Sequence, residues 1–87
     1  VEQLTINDVR PEVISFALDM ERILRLNDYK GGWKQESIFY LTMNLRKEYI
    51  EVMECIEEYD YIHLSYELTD LANTCMMLND KLKRCGL

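Results

Sequence analysis

Two pairs of carboxylates carry the strongest chemical signal in the sequence. Glu48 and Glu51 stand three residues apart, and so do Glu67 and Asp70. On a helix, that spacing sets both members of a pair on one side. Glu48 falls within an apolar stripe, with Leu45 and Val52 about one turn away on either side, and Glu67 and Asp70 sit beside Leu68 and Leu71. Like charges at this spacing weaken a helix by about a few tenths of a kcal/mol per pair. A carboxylate facing a packed bundle costs on the order of several kcal/mol unless something pairs with it. The sequence offers no equal set of Arg or Lys on these faces. Two antiparallel helices would gather all four carboxylates around one spot, and a divalent cation is the natural compensation. All-oxygen donors favour Mg²⁺, Mn²⁺ or Ca²⁺ over Zn²⁺. The competing reading is a solvated surface, which is what a single such pair usually means.

Three helical segments must position these groups. The first is predicted from Asp8 to Leu26, with Asp8 as cap and Pro11 in the first turn. Its apolar stripe is Val13, Phe16, Ala17, Met20, Ile23 and Leu24, and Asn27 continues it with a polar residue. A break from Asn27 to Gln35 contains Gly31-Gly32, which a helix does not sustain cheaply. The second helix is predicted from Ser37 to Glu58, with the stripe Leu41, Leu45, Glu48, Val52 and Cys55 or Ile56. A break over Tyr59–Ile62 follows. The third helix is predicted from His63 to Arg84, with Gly86 as its stop and the stripe Leu64, Leu68, Leu71, Cys75 and Leu78. Short connections make successive helices antiparallel neighbours. The expected fold is therefore all-α: one domain over residues 1–87, a three-helix antiparallel protomer. Its four-helix-bundle-like core is completed by oligomerisation, as homodimer or homotetramer, because 87 residues bury only a modest core.

Charge and cysteine usage narrow the partners. The net charge of -6 disfavours nucleic-acid polymers and anionic membranes. The densest cationic group, Lys81, Lys83 and Arg84, suits a helix C-terminus. No segment has the length and apolarity of a membrane span, and no signal peptide is evident. Cys55, Cys75 and Cys85 are an odd, widely spaced set that fits free thiols in a reducing, cytoplasmic compartment. Cys55 and Cys75 are expected in the core. His63 is the single histidine, and Asp60 three residues earlier resembles half of a di-iron motif with no second half. With His63 expected in a loop, Ser or Cys nucleophilic catalysis lacks a partner.

The segment Leu45-Arg-Lys-Glu48-Tyr-Ile-Glu51, followed by Glu67-Leu-Thr-Asp70, resembles the E-x-x-E…E-x-x-D signature of MazG-like nucleotide pyrophosphohydrolases, within the all-α NTP pyrophosphatase superfamily. Fifteen residues separate Glu51 from Glu67, within the range of such proteins. Asn27-Asp-Tyr-Lys30-Gly-Gly-Trp33 is similar to a segment of a short, often phage-associated branch, and the stretch from Glu67 to Lys81 to that branch's third helix. The resemblance spans about residues 13 to 82. It implies Mg²⁺-dependent cleavage of a nucleoside triphosphate between the α and β phosphates, releasing a monophosphate and pyrophosphate. It also implies metal ligation by Glu48, Glu51, Glu67 and Asp70. Many members carry an acid just before the first motif glutamate; here that residue is Lys47.

Given that chemistry, Glu48 or Glu51 is the candidate general base for a water attacking the α phosphorus. Four ligand charges and one Mg²⁺ sum to about -2, so further Mg²⁺ is expected with the nucleotide. Mn²⁺ is an alternative ion. Lys81 and Lys30 are candidate phosphate contacts, against a reading as solvated charges. Asn73 and, more weakly, Asn27 are candidates for metal, base or sugar, against buried hydrogen bonds. Trp33 either stacks on a base or plugs the bundle end. The alternative to an enzyme is a non-catalytic helical nucleotide- or protein-binding module that keeps the same acidic site. A third possibility is a helical adaptor with solvated carboxylates.

Overall fold

In the computed structural model, which describes residues 2–86, the chain is all-α and no strand occurs among those residues. Helix α1 spans Pro11–Leu26, α2 spans Ile38–Glu57 and α3 spans Tyr61–Arg84. Two short 3-10 turns, Ile6–Asp8 and Asp28–Lys30, precede and follow α1.

The boundaries have local causes. Asp8 does not cap α1. Its carboxylate turns back to accept from the Thr5 backbone N–H and hydroxyl at 2.9 and 3.0 Å. Pro11, with its pre-set φ, opens α1 instead. At the other end, the Asn27 side-chain amide donates to the Ile23 carbonyl at 3.1 Å and closes the last turn. Gly31 and Gly32 hold φ of 99° and 76°, a region where a side chain is strained, so the glycine pair does set the break. Ser37 caps α2 by accepting from the Tyr40 N–H at 3.0 Å. Helix α3 starts two residues earlier than periodicity suggests, because Asp60 is its N-cap and accepts from the His63 N–H at 3.3 Å. His63 therefore lies in the first turn of α3, not in a loop. Its ring Nδ1 sits 2.6 Å from Asp60 Oδ2, which explains the Asp60/His63 spacing as an exposed capping pair. Gly86, at φ 74°, ends the chain's last helix, and the cations Lys81, Lys83 and Arg84 occupy its final turn.

Helix α3 is the central element. It packs along α2, to which a three-residue turn joins it, and α1 lies against α3 alone. No Cα of α1 comes within 8 Å of one in α2. An open groove therefore runs between α1 and α2 with α3 as its floor.

The apolar core is thin. Leu41, at 1% exposure, and Val52 are its buried hydrophobic members. The first half of the α1 stripe, Val13, Phe16 and Ala17, is exposed, and only Met20, Ile23 and Leu24 are half-buried. On α3 only part of the expected stripe turns inward: Leu64, Leu71 and Leu78 are half-buried. Leu68 is 42% exposed and Cys75 is exposed, whereas Thr69, Asn73 and Thr74 are buried. Three donors of this inner face are bonded, which lowers the cost of burying them. The Thr69 and Thr74 hydroxyls donate to the Ser65 and Asp70 carbonyls one turn back, both at 3.0 Å. The Asn73 amide reaches across to α1.

The protomer exposes 7012 Å². A folded monomer of 10.4 kDa exposes about 5,400 Å². Its radius of gyration is 14.5 Å, against about 12 Å for a compact domain of this length.

Candidate metal centre

Antiparallel pairing of α2 and α3 sets the carboxylates against one another. Oxygen atoms of Glu48, Glu67 and Asp70 all lie within 4.8 Å of one another, on half-buried side chains. Glu51 stands beside this triad, and its carboxyl presses on both Glu48 and Glu67. It also lines a shallow outer hollow of α2 with Met43, Lys47 and Ile50.

The electrostatics follow from that crowding. Burial, then hydrogen bonding with and repulsion from Glu51, then the charges of Asp70 and Glu67, push the Glu48 carboxyl up to about 7. Burial and Glu51 raise Glu67 as well, with His63 opposing. Burial and the Glu51 charge raise Asp70, with Lys30 opposing. Lys30 and His63 thus each oppose the acids of the cluster, at Asp70 and Glu67 respectively. No salt bridge satisfies these acids among the described residues.

Two buried oxygens, Glu48 Oε2 and Glu67 Oε2, have no hydrogen-bond partner. A buried anionic oxygen left bare is strongly unfavourable. Converging, unpaired, all-oxygen donors fit a hard divalent cation, so Glu48, Glu67 and Asp70 could hold one. The same set fits Zn²⁺ poorly, because it offers neither nitrogen nor sulfur.

The groove between α1 and α2 leads from this cluster along α3 in two lobes. The first, about 160 Å³, is lined by Glu48, Asp70, Asn73, Thr74, Asn27 and Met77, among others. The second, about 200 Å³, is walled by Trp33, Tyr40, Leu41, Lys30 and Gly32. Leu24, Asn27, Asn44 and Met77 border both lobes, so they form one cleft. It passes from carboxylates through a level of amides to an end where Trp33, Tyr40 and Leu41 stand beside Asp28, Lys30 and Glu36.

Of the residues singled out by sequence, the cleft gathers Glu48, Asp70, Asn27, Asn73, Lys30 and Trp33. Trp33 plugs its end: the indole Nε1 donates to Asp80 Oδ2 at 3.0 Å, the oxygen that Arg84 also holds at 2.8 Å. Lys81 is not brought into the cleft lining. Its ammonium donates to the Lys34 carbonyl at 3.2 Å and ties the α1–α2 connection to α3.

Asn44 and Tyr66 join the site without being among the sequence candidates. Asn44 borders both lobes, and its signal was a polar side chain on α2 one turn before Glu48. Tyr66 lies against the cluster, where the charge of Asp70 and then burial raise its hydroxyl above the ordinary range. Its place one turn before Asp70 was the available clue. No helix among the described residues is long and apolar enough to cross a membrane.

Comparison with known protein families, known proteins and solved structures finds no match to this chain.

Proposed function

We propose that the protein is a divalent-cation-dependent nucleoside triphosphate pyrophosphohydrolase of the MazG-like kind. The single observation that carries this reading is the convergence of unpaired carboxylates at one end of a cleft with an aromatic end opposite. The E-x-x-E…E-x-x-D spacing, the Lys-Gly-Gly-Trp turn and the Asp70–Lys81 stretch support it from the sequence.

In this reading Glu48, Glu67 and Asp70 hold Mg²⁺ or Mn²⁺, with Glu51 completing the shell or serving beside it. Bound there, the ion supplies Lewis-acid neutralisation of phosphate charge and acidifies a water. The water oxygen bonds to the α phosphorus, and the bond from that phosphorus to the α–β bridging oxygen breaks. The monophosphate and pyrophosphate leave. Glu51 is the better-placed general base, because its carboxyl lies outside the tight triad yet against Glu48 and Glu67. Glu48 is the alternative base. Lys30 adds positive charge at the cleft rim, partly offsetting the acidic surround that would repel a triphosphate. Trp33, held by Asp80, closes the end against which a base would rest.

The reading includes a second copy of the chain. The protomer exposes roughly 1,600 Å² more than a folded monomer of its mass, which is the scale each partner buries in an obligate dimer. The apolar line Leu64, Leu68, Leu71, Cys75 and Leu78 alternates four- and three-residue steps, the pattern of a helix–helix seam. Tyr49 and Ile56 on α2 add exposed apolar surface. Two α2–α3 hairpins joined along this seam make a four-helix core.

A binding module without turnover is the second reading, and one residue favours it. Lys47 stands where many members of that family carry an acid. Pyrophosphate release from a panel of common and modified triphosphates, with Mg²⁺ and with Mn²⁺, separates the two. Release above the uncatalysed rate is the expected result. Saturable binding without release would establish the module, and neither would end both readings.

A further inference from the structure

Asn73 is 3% exposed, and only half of its amide is bonded. Its Nδ2 donates to the Met20 carbonyl of α1 at 3.1 Å. That bond fixes the amide, since a flip would set two oxygens against each other. Its Oδ1 is left buried with no partner. The side chain lines the same lobe as Glu48 and Asp70, and neither carboxyl is bonded to that oxygen. The neighbouring Asn27 amide is already committed to the Ile23 carbonyl. Among the described residues no group donates to Asn73 Oδ1, although the Asn44 amide and the Thr74 hydroxyl border the same lobe, so the position is open to a donor carried by a ligand.

Its level in the cleft says which donor. Asn73 is one turn beyond Asp70, away from Glu67 and toward Met77 and the aromatic end. Along the α3 axis, at about 1.5 Å per residue, the level midway between Glu67 and Asp70, where a cation held by both would lie, is roughly 7 Å behind Asn73. That offset is about three times the one separating either carboxylate from the same level, so Asn73 is poorly placed to join such a metal site. Between the phosphates and the base of a nucleotide lies the sugar, whose donors are hydroxyls. We propose that Asn73 Oδ1 accepts a hydrogen bond from a sugar hydroxyl of the bound nucleotide, so that the amide level of the cleft reads that hydroxyl. Met77, unbranched and adaptable, is the wall that yields to admit it. This inference rests on the nucleotide reading above.

The test is calorimetric binding of non-hydrolysable α,β-imido triphosphates to the full chain with Mg²⁺. The tightest-binding base is used in ribo, 2′-deoxy, 3′-deoxy and 2′,3′-dideoxy forms. Removing one particular hydroxyl is expected to weaken binding roughly ten- to hundredfold. Replacing that hydroxyl with an amine, which keeps a donor, should restore most of the affinity, whereas fluorine should not. In Asn73→Ala the hydroxyl and deoxy forms should bind alike, while Mg²⁺ affinity without nucleotide stays within about twofold. Should Asn73→Ala not fold, the amine-against-fluorine contrast in the parent protein decides alone. Triphosphates that bind regardless of either hydroxyl would overturn the role of Asn73 and leave the nucleotide reading standing. The same holds if Asn73→Ala keeps the discrimination, or loses Mg²⁺ by the same factor. If no triphosphate binds, both fall.

Discussion

The two long faces of α3 contradict their own composition. One reads as core, with Leu64, Leu68, Leu71, Cys75 and Leu78 at helix–helix spacing, yet Leu68 and Cys75 are exposed. The other carries Thr69, Asp70, Asn73 and Thr74 and is the one packed inward. Hydrophobic burial alone would choose the opposite arrangement. The difference teaches that burial on α3 follows carboxylates, amides and hydroxyls more than leucines. On the function proposed above, a cation and a polar ligand compensate the acids and amides, and a second copy covers Leu68 and Cys75.

The sharpest way to break that contrast is on the polar side. Glu48→Gln should lower pyrophosphate release by on the order of 10²–10⁴-fold. The same change removes repulsion in the cluster, so the metal-free variant should melt at or above the parent temperature. Release at the parent rate would remove the catalytic assignment. On the apolar side, Leu68→Lys should weaken self-association about hundredfold, roughly 3 kcal/mol for a charge buried in a seam. Sedimentation equilibrium reads this directly, and a parent protein that is monomeric throughout would refute the seam.

Acidity probes the same contrast more gently. The Glu48 carboxyl is ordinarily near 4.5 and is held at about 7 in the folded protein. The folded state therefore binds more protons across that interval, and metal-free stability should fall as pH rises through it. Glu67 and Asp70, also raised, act in the same direction. Asp60 and Asp80 are lowered, Asp60 by its bonds to His63 and Asp80 by Arg84 and Trp33, so they act the other way, but below the ordinary carboxylate range. Thermal melts from pH 5 to pH 8 should show the decline, and saturating Mg²⁺ should remove it. A metal-free melting temperature that climbs over this range would contradict the buried acid cluster. The smallest effect is expected at the plug. Trp33→Phe should cost about 1 kcal/mol, because Arg84 still satisfies Asp80 when the indole is gone. A denaturant midpoint unchanged from the parent would show that the bond contributes nothing.

Much of this was legible in the residues. Helix number, the Gly31-Gly32 break, the Ser37 cap and the acid pairs follow from periodicity, backbone freedom and spacing. What periodicity could not resolve was which α3 face turns inward. Two stripes of that helix are consistent with packing, and the contacts that distinguish them, such as the bond between Asn73 and Met20, join residues far apart in the chain. The start of α1 differs from expectation because Asp8 can cap forward or fold back on Thr5, and the two look alike in sequence. His63 is helical because the cap belongs to Asp60, which follows a turn through Tyr59 at φ 56°. Asn44 has only its place one turn before Glu48 as a clue, because the residues it faces across the groove, Asn27 and Asn73, are far away in the chain.

A calorimetric titration of the metal-free protein with Mn²⁺, beside the Glu48→Gln/Glu67→Gln double variant, bears most directly on the acid cluster. Saturable binding by the parent, with proton release and a higher melting temperature, should vanish in a double variant that remains helical. A parent protein that takes up no Mn²⁺ into the millimolar range, or a double variant that binds it equally well, would mean those carboxylates are buried for some other reason.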